Sequence, residues 1–527
     1  MSKGQGNDPQ ALKPGFRRFL YATAGITGAC ILIVEILGAK MLAPFVGTSH
    51  FVWTAQIAVT LVSLAIGYYF GGWLVDRSPK LSRLYFCIAI AAVYLAFTIL
   101  IVEQVAYGFL KYNLALGALL SSAILFFVPL TLLAAVGPFL IRVLAISFNT
   151  IGTQIGRLSA ISTLGSVLGT ILIGYVLLPF LPNSVTMYAT AGVLLLLSLT
   201  YFVFFNRREL GPAVTLLLVG AALGGLGVRR DFTKTWGRVQ ELHRSNSDFG
   251  MLQVVQLPDG RLFYLNDFLL QNTYDTHTRK STSLFTYMLR YLAEGYRTNL
   301  QDVLCIGLGV GIVPTEMARK GVRVDVVEIN PSIVPLAQRY FDFDPTKSNV
   351  TIGDGRYFVN ATEKKYDAVV LDAFLGDSSP SHLMSREAFA HMKEVLKPGG
   401  VLVINSFGDL TPGKNFFAAS LQKTLAAVFP HVRAHGIRRP DGTVSGNLFF
   451  AASDQPLQLS PVDYSDAHPE VYREVATALG SDLQIDTSIG RVLTDDYNPV
   501  EFYDAENREA HRRRLAFSMR RLAEPVR

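Results

Sequence analysis

The chain has 527 residues, half of them hydrophobic and only 17% charged, with a formal charge of +7. A mean hydropathy of +0.32 is too apolar for an average soluble protein. No aromatic–basic motif supports nucleic-acid binding. Cys30, Cys87 and Cys305 all sit in apolar runs and imply no disulfide framework. No metal-ligand spacing occurs either: His382, His391 and His511 are isolated and read as solvated or core side chains.

Residues 1–16 are polar, and disorder is expected there. Membrane-length apolar runs follow at 19–42, 52–75, 82–102, 115–140, 158–181, 185–205 and 212–228. They predict a polytopic helical membrane domain over 17–228 with about seven spans. No small-residue cleavage site follows the first run, so it reads as an anchor. Gly165, Gly169 and Gly174 give the fifth span a small-residue face suited to close helix packing. Glu35 lies mid-span, where a charge costs about 2.5–3.5 kcal/mol on insertion scales. It reads equally as a cation or proton site and as a carboxyl bonded to a neighbouring helix. Asp76-Arg77 after the second span resembles the short loop of major-facilitator transporters.

Basic residues cluster before the first span (Lys13, Arg17, Arg18) and after the second (Arg77, Lys80, Arg83). They recur after the fourth (Arg142, Arg157) and the sixth (Arg207, Arg208). This bias puts the N-terminal side in the cytoplasm. Seven crossings would then carry residue 229 outside, whereas Arg229, Arg230, Lys234 and Arg238 read as cytoplasmic. Either the short, glycine-rich last span does not cross, or the N-terminal side is outside. The reading adopted is an inner-membrane protein whose second half is cytoplasmic.

That half opens with a small β-subdomain over 235–297. Runs at 251–256 and 261–265 around Pro258-Asp259-Gly260 read as a hairpin, and a helix is expected over 280–294. An α/β domain covers 298–504, with a buried strand over Val401–Asn405 among others. The tail, 505–527, carries Arg508, Arg512, Arg513, Arg514, Arg520 and Arg521 among apolar residues. It reads equally as a lipid-binding amphipathic helix and as a solvated charged one.

Within 303–372, short apolar runs alternate with polar turns, the pattern of a parallel sheet covered on both faces. Ligands of such sheets bind at the carboxyl ends of the strands. Gly307, Gly309 and Gly311 end the first run and let a backbone approach a ligand. Glu328 ends the second, placed to accept from ribose hydroxyls. Asp354, followed by Gly355, ends the third and suits an adenine amino group. Asp372 ends the fourth, where a reacting group would sit. The NAD-type fingerprint needs a glycine at position 312, which is Ile312.

The spacing Gly-x-Gly-x-Gly resembles the S-adenosylmethionine-dependent, Rossmann-like methyltransferase fold. More narrowly, residues 235–504 resemble the spermidine synthase (polyamine aminopropyltransferase) family, including a membrane-fused form. The resemblance rests on Val327-Glu328-Ile329-Asn330, Asp354-Gly355-Arg356, the run Tyr366–Asp372, and Leu265–Gln271, which looks like that family's strand-turn-strand approach to the active site. It implies Asp372 as the catalytic base, with Asp377 as the second acid, displaced by two residues. It implies Gln271 as a cofactor contact, and Asp495 and Tyr497 on a loop closing over the amine. Two positions depart from the family: Val310 stands where it has an Asp that holds the cofactor's free amine, and Phe249-Gly250 where it has Tyr-Gln.

The implied activity is aminopropyl transfer from decarboxylated S-adenosylmethionine to an amine such as putrescine, in a homodimer and with no metal. Without a carboxylate at position 310, a tail that keeps its own carboxylate is less strongly repelled. Methyl transfer from S-adenosylmethionine is therefore the alternative. A non-catalytic polyamine-binding or transport role centred on Glu35 is the third reading.

Overall fold

A computed structural model describes residues 13–46, 50–109, 112, 114–144, 151–231, 235–236, 239–267, 269–374, 380–500, 507 and 510. The expected second acid Asp377, His511, and all of the tail except Asn507 and Ala510 lie outside the described residues. The chain divides into two units, Met1–Thr233 and Lys234–Arg527.

In the first unit, seven helices are long and apolar enough to cross a bilayer: Pro14–Val46, Phe51–Arg77, Leu81–Phe109, Ala115–Leu144, Ile151–Phe180, Asn183–Phe205 and Arg207–Gly227. The first begins inside the stretch expected to be disordered, and it is the most enclosed, with 67% of its apolar window buried. The glycine face of the fifth lies against it. A Cβ at Gly165 would fall 2.0 Å from the Gly25 carbonyl oxygen, and one at Gly169 would fall 2.5 Å from that of Ala29. Ser166 Oγ donates to the Gly28 carbonyl at 3.1 Å. Gly174 has nothing within reach and takes no part in this contact. It sits in a π-helical turn, Ile173–Leu177. The seventh helix runs antiparallel along the sixth, with Gly220 against Leu195 and Gly227 against Tyr188.

The second unit holds two sheets. The smaller has strands β1 (Thr235–Trp236), β2 (Val239–Ser247), β3 (Gly250–Gln256), β4 (Arg261–Asn266), β5 (Leu269–Asp275) and β6 (Lys280–Ser281), paired in that order and all antiparallel. The expected hairpin is β3–β4. The following helix runs over Leu284–Tyr296, and its Met288, Leu289 and Leu292 pack in one cluster with Val303 and Cys305 of the larger sheet.

The larger sheet has β7 (Asp302–Ile306), β8 (Arg323–Glu328), β9 (Asn349–Ile352), β10 (Tyr366–Leu371), β11 (Leu396–Asp409), β12 (His431–Gly436) and β13 (Ser445–Ser453), in the order β12-β13-β11-β10-β7-β8-β9. This is a methyltransferase-like Rossmann order, and it reverses between β7 and β10, where such sheets open a crevice. Every residue of β7 and β10 is buried, which is why their sequences are unbroken apolar runs but for Asp302 and Asp367. The strands within 303–372 are parallel as expected. One expectation is corrected, because β11 extends well beyond Val401–Asn405; outside the expected stretch, β13 runs antiparallel to both β11 and β12.

Candidate functional site

The three glycines after β7 all adopt positive φ: +96° at Gly307, +57° at Gly309 and +82° at Gly311. A Cβ on Gly307 would lie 2.3 Å from the Asp372 carbonyl oxygen, so this glycine lets β7 and β10 approach at the crevice. Gly311 caps the helix Ile312–Arg319, whose amino end adds a positive dipole beside the loop. Gly355 fills a second close approach, where a Cβ would meet Ile306 at 2.4 Å.

Glu328, at the end of β8, is buried. Its two oxygens accept from the backbone N–H of Leu308 at 2.9 Å and of Asn330 at 2.8 Å, tying the carboxylate to the glycine loop. Burial pushes its pKa up, and these donors pull it back. Asp354 caps the helix Gly355–Ala361 by accepting from Tyr357 N–H at 3.0 Å. Its other oxygen meets His382 Nε2 at 2.8 Å. Burial acts to raise its pKa, but the Tyr357 and His382 bonds outweigh that and leave it below the ordinary carboxylate range. His382, read from sequence as isolated, lines the cleft.

Asp372 follows β10 at the crevice. Burial raises its pKa to about 6, against the opposing pull of one donor, Asn405 Nδ2, at 2.9 Å from Oδ1. Asn405 is in turn oriented by Asn447, which donates to its Oδ1 at 2.9 Å. Asp367 of the same motif sits at the other end of β10. It accepts from the N–H of Gln301 and Asp302 and pairs with Lys397 at 2.9 Å, a structural role.

The smaller sheet and its turn supply the facing wall of the cleft, including Phe249, Asn266, Gln271 and Asn272. Asn266 Oδ1 and Asn272 Oδ1 are buried and have no hydrogen-bond partner among the described residues. Near Asp372, Phe374 and Phe407 meet edge to face at 5.5 Å. Val310 does not line the cleft: it is 1% exposed, packed with Met317 and Phe341 in the apolar core.

Of the residues expected from sequence, Gly307, Gly309, Glu328, Asp354, Gly355, Asp372 and Gln271 converge on this one cleft. Asp495 and Tyr497 do not line it. Asp495 is held by Arg356 in a bidentate pair, at 3.0 and 2.7 Å, and by Ser385. Arg356 first, then Ser385, keeps its carboxyl below the usual range. Tyr497 is exposed, and its neighbour Asn498 ties the segment to the Ser381 carbonyl beside His382 at 3.0 Å. Sequence reasoning missed Asn405, His382, Asn266 and Asn272. Two of these left a signal: Asn405 closes the expected strand Val401–Asn405 at its carboxyl end, and Asn266 lies in the Leu265–Gln271 approach. Among the described residues, no group of three His, Cys, Asp or Glu side chains is placed to hold a metal ion.

Residues 283–444 match the family model of the spermine/spermidine synthase domain. The chain is 41% identical over 113 residues to a polyamine aminopropyltransferase of Vibrio vulnificus, covering 20% of this chain and 38% of that protein. It is 26% identical over 276 residues to a probable polyamine aminopropyl transferase of Bifidobacterium longum, covering 49% and 61%. It is 31% identical over 134 residues to putrescine N-methyltransferase 2 of Nicotiana tabacum, covering 24% and 38%. The chain thus spans less than two thirds of the length of each of these relatives. The second unit carries a spermidine synthase-like domain.

Proposed function

We propose that this spermidine synthase-like domain transfers an aminopropyl group from decarboxylated S-adenosylmethionine to an amine such as putrescine. The observation that carries the reading is Asp372: a carboxyl with its pKa near 6, placed beside the glycine loop at the point where the strand order reverses. The matched family and the relatives named as aminopropyltransferases support it.

The residues present fit an adenosine-bearing co-substrate. Glu328 keeps lone pairs for a ribose, and Asn266 and Asn272 line the facing wall of the cleft. Decarboxylated S-adenosylmethionine supplies a propylamine carbon activated by its sulfonium. Asp372 takes a proton from the incoming ammonium, freeing the nitrogen lone pair. A C–N bond then forms, the C–S bond breaks, and sulfur keeps the electron pair in methylthioadenosine. Asn405 holds the Asp372 carboxylate in place through the transfer. Phe374 and Phe407 present ring faces and edges to the amine's methylenes and to passing positive charge.

A second reading, methyl transfer from S-adenosylmethionine, is favoured by one observation: Val310 is buried, so the loop presents no acid to repel a cofactor carboxylate. The tobacco relative's name fits it. The two are separated by the sulfur product the purified protein releases. Methylthioadenosine, formed with an aminopropylated amine, is the expected result. S-adenosylhomocysteine with a methylated amine would replace the first reading by the second.

We further place the helical unit in the inner membrane by its seven apolar helices, with the catalytic unit in the cytoplasm, where a nucleotide-derived co-substrate is made. Seven crossings would put Lys13, Arg17 and Arg18 on the outer side, against the bias of the loop charges, whereas six would keep them in the cytoplasm. Reporter fusions at both ends test this: an extracytoplasmic signal from the C-terminal fusion would overturn it.

A further inference from the structure

Among the described residues, Asp372 accepts one side-chain hydrogen bond, from Asn405 Nδ2 to its Oδ1. Asn405 is 2% exposed, and its own oxygen accepts from Asn447 Nδ2 at 2.9 Å. The strand register brings the three together. Asn405 and Phe407 are two apart on β11 and both line the cleft, so they share one face of the sheet. β13 runs antiparallel beside them, with Asn447 opposite Phe407. Residues opposite each other share a face, so Asn447 stands diagonal to Asn405, within reach of its amide. Asn447 itself does not line the cleft, and it lies beyond the matched stretch 283–444.

The two ends of an Asn amide have nearly the same shape and opposite roles: the nitrogen donates and the oxygen accepts. Turned over, Asn405 would present its oxygen to Asp372. That arrangement repels a carboxylate and suits a protonated acid, which can donate to the oxygen. The direction of the Asn405 amide is therefore coupled to the proton on Asp372. Asn447 fixes that direction. Its donor meets Asn405 Oδ1 and would face a second N–H group if the amide turned.

We propose that Asn447 is a positioning residue for the base: by holding Asn405 Oδ1, it keeps the Asn405 donor turned toward Asp372 in its proton-accepting form. The inference rests on the reading of Asp372 given above. With Oδ1 occupied by that donor, Oδ2 is the oxygen that takes the proton from the incoming ammonium. The nitrogen lone pair so freed forms the C–N bond. Because the amide stays in place, the protonated acid finds no acceptor in Asn405. Loss of the proton to solvent after product release restores the base.

The test is the pH dependence of kcat/KM for methylthioadenosine release by the full-length protein in detergent. In wild type the acid limb is expected near pH 6, set by Asp372. Asn447→Leu, close in size but without a donor, is expected to move that limb up by about half a pH unit or more. In an Asn405→Leu background the same substitution should add nothing, because Asn447 then has no amide to hold. Asn447→Asp keeps the shape of the side chain and carries the test if the leucine variant does not fold. Its ionised carboxyl only accepts, so it draws the Asn405 nitrogen to itself, and the limb should move up further than in Asn447→Leu. A limb that stays at its wild-type position in the folded Asn447 variant, or a shift from Asn447→Leu that is as large without Asn405 as with it, overturns the inference and leaves Asp372 as the base. A wild-type profile with no acid limb near pH 6 removes Asp372 as the base, and this inference falls with that reading.

Discussion

Asn405 Nδ2 stands 2.9 Å from Asp372 Oδ1 and is the donor that opposes the upward pull of burial on that carboxyl. β10 and β11 are parallel neighbours in the sheet, so the bond joins the residue that follows β10 to the interior of β11. A base must be ionised to work. With a pKa raised to about 6, Asp372 is protonated below that pH and active above it. The ratio kcat/KM should therefore rise with pH through about 6 and level off. Asn405→Leu removes a group that favours the ionised form, so its acid limb should move to higher pH by about one pH unit. A pH–rate profile unchanged by this substitution would separate Asn405 from the titration of Asp372.

Glu328 serves the loop as well as the ribose. In Glu328→Gln the new amide turns a donor toward either Leu308 N–H or Asn330 N–H, leaving a buried donor unsatisfied at a cost of about 1–3 kcal/mol. Lower thermal stability together with nucleoside affinity reduced by ~10-fold or more is expected. Intact affinity for methylthioadenosine in this variant would place the ribose elsewhere.

Gly307→Ala combines a φ of +96° with a Cβ 2.3 Å from the Asp372 carbonyl oxygen. It should cost more than about 1 kcal/mol in stability and displace Asp372, so kcat falls along with the melting temperature. Gly413→Ala, also at positive φ (+83°) but with nothing within 4 Å, is the control and should lose stability without loss of activity. Equal effects on activity from both would remove the steric argument.

The Arg356–Asp495 pair holds the segment around Tyr497 beside the His382 turn at the rim of the cleft. Arg356→Leu breaks a bidentate pair that also reaches the His382 carbonyl at 2.7 Å. A rise in the KM for the amine with a smaller change in kcat is expected if that segment helps to retain the acceptor. A pure fall in kcat would assign the pair to the chemical step instead.

Much of the cleft is legible in the sequence. An apolar run ending in a polar residue marks a strand's carboxyl end, and in a doubly wound sheet those ends share one edge, so Gly307, Glu328, Asp354 and Asp372 could be grouped from spacing alone. Their partners could not. Asn405 lies 33 positions from Asp372 and His382 28 from Asp354, and such meetings depend on strand order rather than local pattern. The direction of β13 was hidden because a largely buried strand has the same composition in either orientation. Val310 shows the opposite limit. Its place in the loop was readable, but that its side chain turns into the core was not.

The most direct test of the account is amine-dependent release of methylthioadenosine by wild type and by Asp372→Asn. The substitution removes a charge that burial disfavours. A carboxyl whose folded pKa lies above its unfolded one loses stability as pH rises through about 6. The variant should therefore melt no lower than wild type above that pH, and inactivity cannot be blamed on unfolding. The account predicts release by wild type and a loss of ~10²–10⁴-fold in kcat for the variant. Undiminished turnover in the variant would contradict Asp372 as the base, and release of S-adenosylhomocysteine alone would contradict aminopropyl transfer.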